Sequence, residues 1–236
     1  MYGAISAGCC AVIKPSEISV NVSSFLAHTL PKYLDQSAYR IVLGGIPEIT
    51  KILELKCKEK KKKLQPLLIL LLNEKKSFSF TSGDHIFYTG NGRVARIVSA
   101  AAAKHLTPLT LELGGKSPVI VDSTADISLA AKRILWGKIN NAGQICVAPD
   151  YILAESSIVP SLIAAFKEHY DAFFPEGPLA SPSYSRIVSE IHFTRLKNLL
   201  GSTGGKIVTG GKWDAERGFE PTVVTGVTVG DSLLEE

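Results

Sequence analysis

Four places along this chain of 236 residues combine side chains and spacings that can do chemistry. Cys146 closes the stretch Asn140-Asn141-Ala142-Gly143-Gln144-Ile145-Cys146. A nucleophilic thiolate needs access and a stabilising environment, and a small, polar, glycine-containing segment after a helix leaves the sulfur open. The competing role for such a cysteine is that of a small buried hydrophobe. A Cys–His hydrolase would draw on His105 or His169, and nothing around either one marks it for that task. Glu112 ends an apolar run directly before Gly114-Gly115. A carboxylate there belongs at the C-terminal edge of a sheet, where open α/β folds bind ligands; the alternative is a solvent-facing or ion-paired strand end. Gly90-Asn91-Gly92-Arg93-Val94-Ala95 fits G-x-G-x-x-[GA], a turn whose N–H groups receive a phosphate when it joins a strand to a helix. The same glycines also suit an ordinary turn. The dinucleotide pattern expects an acid about 20 residues on, and Glu112 satisfies that spacing, which leaves it a ribose ligand as well as a base. Finally, Lys14-Pro15-Ser16-Glu17 follows the apolar Ala11-Val12-Ile13. Lys14 and Glu17 can hold ribose hydroxyls there, or serve as capping charges at a helix start.

The elements that must position these groups alternate. Ser16 is placed to cap a helix running toward Leu30, with Pro31 ending it. Tyr39 to Leu43 reads as a strand, and Pro47 opens a helix through Ile49, Ile52 and Leu53. His85 to Thr89 is a strand ending at Gly90, followed by a helix with Val94, Ile97, Val98 and Ala101 to Ala103 on its apolar side. Pro108 to Leu113 is the next strand. Beyond Gly115 come a strand at Pro118 to Val121, a helix from about Asp126 to Ile139 and a strand at Tyr151 to Ala154. Helices at about Pro160 to Phe173 and Tyr184 to Leu200 follow, then closing strands near Val208 and Pro221 to Val224. Strands alternating with long helices predict an α/β fold with a parallel sheet covered by helices. The Gly114-Gly115 step is the expected junction between two domains, 1–113 and 114–236.

Composition narrows the classes. With 45% hydrophobic and 20% charged residues, the chain is neither disordered nor fibrous. Four Cys without a C-x-x-C make neither a disulfide framework nor a zinc site, so no metal is expected and a reducing, cytoplasmic setting is. The formal net charge is +4, but seven Lys against Glu59 and Glu74 between Cys57 and Gly83 leave the remainder at −1. A nucleic-acid face should spread over a folded surface, so no nucleic-acid partner is expected. That segment also breaks the pattern. A lysine run, Leu67 to Leu72 and Ser77 to Ser82 stand where a loop of about 2–6 residues is usual, and the apolar run falls far short of the ~20 residues of a membrane span. We read 57–83 as non-native sequence such as a translated intron, against the alternative of a basic membrane- or partner-binding loop.

Taken in order, the motifs cease to be independent. Ala11-Val12-Ile13-Lys14-Pro15-Ser16-Glu17, Tyr88-Thr89-Gly90, Leu111-Glu112-Leu113-Gly114-Gly115-Lys116-Ser117-Pro118 and Gly143-Gln144-Ile145-Cys146 resemble the NAD(P)-dependent aldehyde dehydrogenase superfamily. His105-Leu106-Thr107-Pro108-Leu109-Thr110 and the Tyr88-Thr89-Gly90-Asn91 turn resemble its fatty and aromatic aldehyde class. The resemblance covers nearly all of the chain except Cys57 to Gly83. It implies a Rossmann-like cofactor domain to Leu113, then a catalytic domain, both incomplete. It further implies oxidation of an aldehyde to a carboxylic acid with NAD or NADP. Cys146 would be the nucleophile, passing through a thiohemiacetal and a thioester, and its backbone N–H would donate to the oxyanion. Glu112 would be the general base, which resolves its role in favour of base over ribose ligand. Lys14, Ser16 and Glu17 would face the adenosine ribose, Gly90 and Asn91 the pyrophosphate, with Leu113 also on the cofactor side.

Departures from the family pattern set further expectations. Ala95 stands where the family turn ends in glycine and is expected to crowd the helix–strand contact. The family's oxyanion-hole asparagine belongs upstream of Met1. The acid that holds the nicotinamide ribose, the rest of the catalytic domain, the oligomerisation strands and any C-terminal membrane tail belong beyond Glu236. The chain is therefore expected to be a fragment, inactive or unstable by itself, of a parent that is a homodimer. A nucleotide-binding remnant and a gene-model fragment without function are the alternatives.

Overall fold

The computed structural model describes residues 2–45, 47–48, 66–72 and 85–235, with backbone alone for Pro66–Leu72. The chain forms two compact units, Met1–Gly114 and Gly115–Glu236.

In the first unit, α1 (Tyr2–Ser6) leads into β1 (Cys10–Lys14), α2 (Val20–Thr29), β2 (Tyr39–Ile41), β3 (Pro66–Leu72), β4 (His85–Gly90), α3 (Gly92–Ala103) and β5 (Leu109–Leu113). The five strands form one sheet in the order β2-β1-β3-β4-β5, and every pairing is parallel. All strand C-termini therefore lie along one edge. Side chains alternate faces along a strand, so Ala11 and Ile13 share a buried face of β1, and Ile86 and Tyr88 share one of β4. The core beneath β4 is built from Ile86 and Tyr88 with Val94, Ala95, Val98, Ala101 and Ala102 of α3. These helix positions recur at three- and four-residue spacing, the apolar stripe that a helix turns toward its sheet.

Several expectations are corrected here. Pro66–Leu72 lies between β1 and β4, paired to both, with Leu68 opposite Val12 and Ile86. That stretch is thus a regular element of the sheet, although the sequence reading set the whole of 57–83 outside the fold. A continuous apolar run of this length suits a strand flanked on both sides in a parallel sheet. The rest of that segment, and most of the helix expected after Pro47, fall outside the described residues. The helix expected from Ser16 begins later, at Val20 with Ser19 in the capping position, because Ser16 spends its hydroxyl accepting the Ile18 N–H (3.3 Å) in a tight turn. Ala95 does not crowd the packing. Its methyl lies in the core, and its N–H donates to the Asn91 carbonyl at 3.0 Å.

The second unit contains β6 (Ser117–Val121), α4 (Ile127–Ile139), β7 (Pro149–Ala154), α5 (Val159–Phe173), α6 (Glu190–Ser202), β8 (Lys206–Thr209) and β9 (Val223–Thr225). β6 and β7 pair in parallel, while β8 and β9 form an antiparallel pair. The parallel expectation thus holds for all but the last two strands, which pair antiparallel. Asp126 caps α4 by accepting the Leu129 N–H at 3.0 Å. The α4–α5 core joins Ala131 and Leu135 to Leu162, Ala165, Phe166 and Tyr170 over Val121. The helix expected from Tyr184 starts only at Glu190, where Ser189 accepts the His192 N–H. Residues before it form an irregular stretch in which Tyr184 donates to the Phe219 carbonyl (2.9 Å) and packs edge-on to Phe174. At Gly210, φ is +73°, and a Cβ would overlap the Pro221 carbonyl oxygen. Only glycine fits that close approach.

Candidate active site

The first unit gathers its chemistry at the C-terminal edge of the sheet. Lys14 ends β1 with its side chain fully buried, and its ammonium meets Glu17 Oε2 at 2.5 Å. A buried ammonium is tolerable only when paired, and the turn that supplies Glu17 is itself fastened. Ser23 Oγ of α2 donates to the Ser16 carbonyl at 2.6 Å. Two strands along, Gly90 ends β4 and Asn91 caps α3, its Oδ1 accepting the Val94 N–H at 2.9 Å. Tyr88 Oη donates to the Asn91 carbonyl (3.2 Å), and burial pushes its phenol up to about 12. β5 brings Glu112 opposite Thr89 and Leu113 opposite Gly90, and Glu112 is exposed.

The donor set along this edge suits a dinucleotide. An ammonium and a carboxylate can hold hydroxyls, and the start of a 12-residue helix offers the partial positive charge that receives phosphate. With β3 between them, the strands carrying Lys14 and Gly90 lie two spacings apart, ~10 Å. Lys14, Glu17, Gly90, Asn91, Glu112 and Leu113 thus share one edge, and Ser16 contributes to the turn that carries Glu17.

In the second unit, Cys146 follows α4 and a short 3-10 turn, Asn140–Gly143. Asn141 (φ 50°), Ala142 (φ 53°) and Gly143 (φ 75°) are three successive left-handed residues. Glycine adopts this region freely and asparagine tolerates it, but Ala142 does so at a cost of about 1–2 kcal/mol. The chain then makes a turn in which the Ala148 N–H donates to the Ile145 carbonyl at 3.0 Å. Cys146 sits at the crest of that turn and is exposed. Ser117 Oγ, at the start of β6, donates to the Cys146 carbonyl at 3.3 Å. Below it, Lys116 meets Asp150 Oδ2 at 2.5 Å and donates to the Leu233 carbonyl, while Lys138 approaches the other oxygen of Asp150 at 3.5 Å. His169 pairs with Ser128 Oγ at 3.0 Å, and His105 is exposed. Among the described residues, no group of three or more His, Cys, Asp or Glu gathers as a metal site would require.

The motif reading named Gln144 only as part of a string. In the structure its side chain makes three hydrogen bonds, one within the turn to Asn141 and two that tie the turn to Arg186 and Val188. Those partners lie more than forty residues away, with no signal in the sequence to reveal them.

The aldehyde dehydrogenase family profile matches residues 80–236, more than half of the chain. Mouse aldehyde dehydrogenase family 3 member A2 is 46% identical over all of this chain, which spans 43% of that relative. The rat dimeric NADP-preferring aldehyde dehydrogenase is 41% identical, again over the whole chain and 46% of the relative. Among solved structures, Staphylococcus aureus AldH in a substrate-bound state superposes with a TM-score of 0.83 at 39% identity, covering 99% of this chain and 46% of that one. A mutant of Pseudomonas syringae aldehyde dehydrogenase C, complexed with NAD+ and octanal, gives 0.78 at 25% identity over 99% of this chain and 45% of its own. The chain thus spans less than half the length of these relatives. With the family profile over its second unit and parallel α/β topology like that of the solved enzymes, this chain belongs to the aldehyde dehydrogenase family.

Proposed function

We propose that this chain carries the nucleophile and the cofactor edge of an enzyme that oxidises an aldehyde to a carboxylic acid with NAD or NADP. The observation that carries the reading is the exposed Cys146 thiol, presented at the crest of a hydrogen-bonded turn. As a thiolate, its Sγ attacks the aldehyde carbon, forming a C–S bond and moving the carbonyl electron pair onto oxygen. The Cys146 backbone N–H donates to that oxyanion. Lys14, Ser16 and Glu17 hold the adenosine ribose, Gly90 and Asn91 face the pyrophosphate, and Leu113 lines the same edge. When bound, the cofactor supplies a hydride acceptor in its nicotinamide ring. The acyl group then remains on Cys146 as a thioester. Glu112 takes a proton from water, whose oxygen attacks the acyl carbon; the C–S bond breaks and the carboxylic acid leaves.

The naming of relatives as family 3 members and as a dimeric, NADP-preferring enzyme supports a small-molecule aldehyde substrate and a homodimeric whole protein. We place the protein in the cytoplasm on its cysteine usage, four Cys without a C-x-x-C. Aldehyde-dependent NADH or NADPH formation by the purified chain, compared with Cys146→Ser, tests the catalytic reading. Turnover lost in the variant supports it. Equal turnover in the variant overturns it, and turnover by the chain alone overturns the expectation that the fragment is inactive by itself.

A further inference from the structure

We propose that Gln144 is a positioning residue that holds the Cys146 turn in register, an inference that rests on the proposed role of Cys146 as nucleophile. Gln144 Nε2 donates to the Asn141 carbonyl (2.9 Å) and to the Arg186 carbonyl (3.1 Å), and Oε1 accepts the Val188 N–H (2.9 Å). The pattern of acceptor at 186 and donor at 188 is what a strand offers its neighbour, and the side-chain amide meets it as a peptide group would. The orientation of the amide is fixed by this network, since the reverse would set N–H against N–H and oxygen against oxygen. The backbone adds two more bonds. The Gln144 N–H donates to the Asn141 carbonyl at 3.1 Å, and Asn141 Nδ2 donates to the Gln144 carbonyl at 3.2 Å.

Only a carboxamide of this reach can do all of this. Glutamate keeps the acceptor for Val188 but turns oxygen toward two carbonyls, and alanine makes none of the three bonds. The clamp also closes over the left-handed residues 141–143, whose conformation persists only when its surroundings over-determine it. Its far side is anchored. The Ile187 N–H donates to the Arg217 carbonyl (2.9 Å), Ile187 is buried, and Arg186 donates to the Leu179 carbonyl (3.2 Å). Gln144 therefore ties an exposed turn to a fixed part of the unit, two residues before the sulfur. The charged groups around it are Lys138, whose stem lies against Gly143, Arg186, whose guanidinium is taken up by Asp214 and Glu216, and Arg217, which donates to the Val188 carbonyl at 3.4 Å.

The test attaches a trifluoromethyl thiol label to the full chain and reads fluorine NMR, with the Cys146 resonance identified by its absence from Cys146→Ser. Gln144→Ala is expected to move that resonance toward the position of label on free cysteine, leaving the other labelled cysteines unmoved. Gln144→Glu is expected to do the same at neutral pH and to return toward the unmodified protein as the pH falls to about 4–5, where the carboxyl regains a donor proton. If Gln144→Ala does not fold, Gln144→Glu decides alone. An unshifted Cys146 resonance, a shift shared by every label, or a Glu variant that does not recover on acidification overturns the proposal. These shifts together with turnover that Cys146→Ser leaves unchanged would refute the nucleophile reading and leave Gln144 as positioner. Turnover lost in Cys146→Ser, with no shift in the Gln144 variants, would refute the positioner alone.

Discussion

Lys14, Gly90 and Leu113 each end a strand, and the regular hydrogen bonding of one parallel sheet brings them to a common edge. Cys146 ends nothing. It rides on a turn reached through three left-handed residues and tied down by a few side-chain hydrogen bonds, those of Gln144 among them. The two regions hold functional groups by different physics. At the sheet edge, position follows from strand register and a buried core, and there the candidate Lys14 and its neighbour Tyr88 are fully buried. At the turn, the reactive group is exposed and its placement depends on a few directional bonds. Changes at the turn, and at the exposed Glu112, should therefore alter chemistry without stability, and changes at buried edge residues should alter both.

The largest effect that sharpens this contrast is expected at Cys146. On the proposed role of Cys146 as nucleophile, Cys146→Ser in the whole protein should lower aldehyde-dependent NADH formation by about 10⁴-fold or more, with an unchanged thermal unfolding midpoint because the side chain is exposed. A shifted midpoint would break the contrast. Glu112→Gln should come next. On its proposed role, steady turnover of the whole protein falls about 10²–10⁴-fold, while rapid-quench measurement still finds a first equivalent of NADH, since in that proposal only the step after acylation uses Glu112. Loss of that first equivalent would remove Glu112 from the hydrolytic step.

At the sheet edge the expected changes are in stability. Tyr88 remains protonated in the folded chain up to about 12, above its value of about 10 when unfolded. The unfolded state thus releases its proton first, and the stability Tyr88 contributes is fully present below pH ~10 and lost as pH rises through ~12. The loss amounts to about 2–3 kcal/mol. Urea unfolding of Tyr88→Phe over this range should show a flatter decline than the unmodified chain, and a parallel decline would refute the assignment. The smallest effect is expected at Asn91. Asn91→Ala removes the cap on α3 and should cost about 1 kcal/mol, whereas Asn91→Asp keeps an acceptor and should cost less. Equal losses in the two variants, measured by the same unfolding method, would show that the cap bond is not what matters.

Much of the first unit was legible along the chain because its information is local. β4 and α3 appear as an apolar run, a glycine stop and an apolar stripe at helical spacing, and the structure places them within a residue or two of that reading. Asp126 announces α4 in the same way. Pro66–Leu72 was not legible as a strand, because a lysine run on one side and an unusual separation from the neighbouring elements outweighed its apolar length. The start of α6 was misread for the opposite reason. Tyr184 and Ile187 have helical spacing, but Tyr184 is drawn into an aromatic contact with Phe174 and a bond to Phe219, and Ile187 is buried beside Arg217.

The sequence by itself determined the element types, the parallel α/β class and the identity of the groups that can react. Each of these depends on residues within a few turns of one another, through periodicity, capping and the chemistry of a single side chain. Only the tertiary structure decided strand order, the burial of Lys14 against Glu17, and the clamp from Gln144 to Arg186 and Val188. Those depend on hydrogen bonds and desolvation between residues that meet only when the chain has folded, and no spacing along the sequence encodes such a meeting.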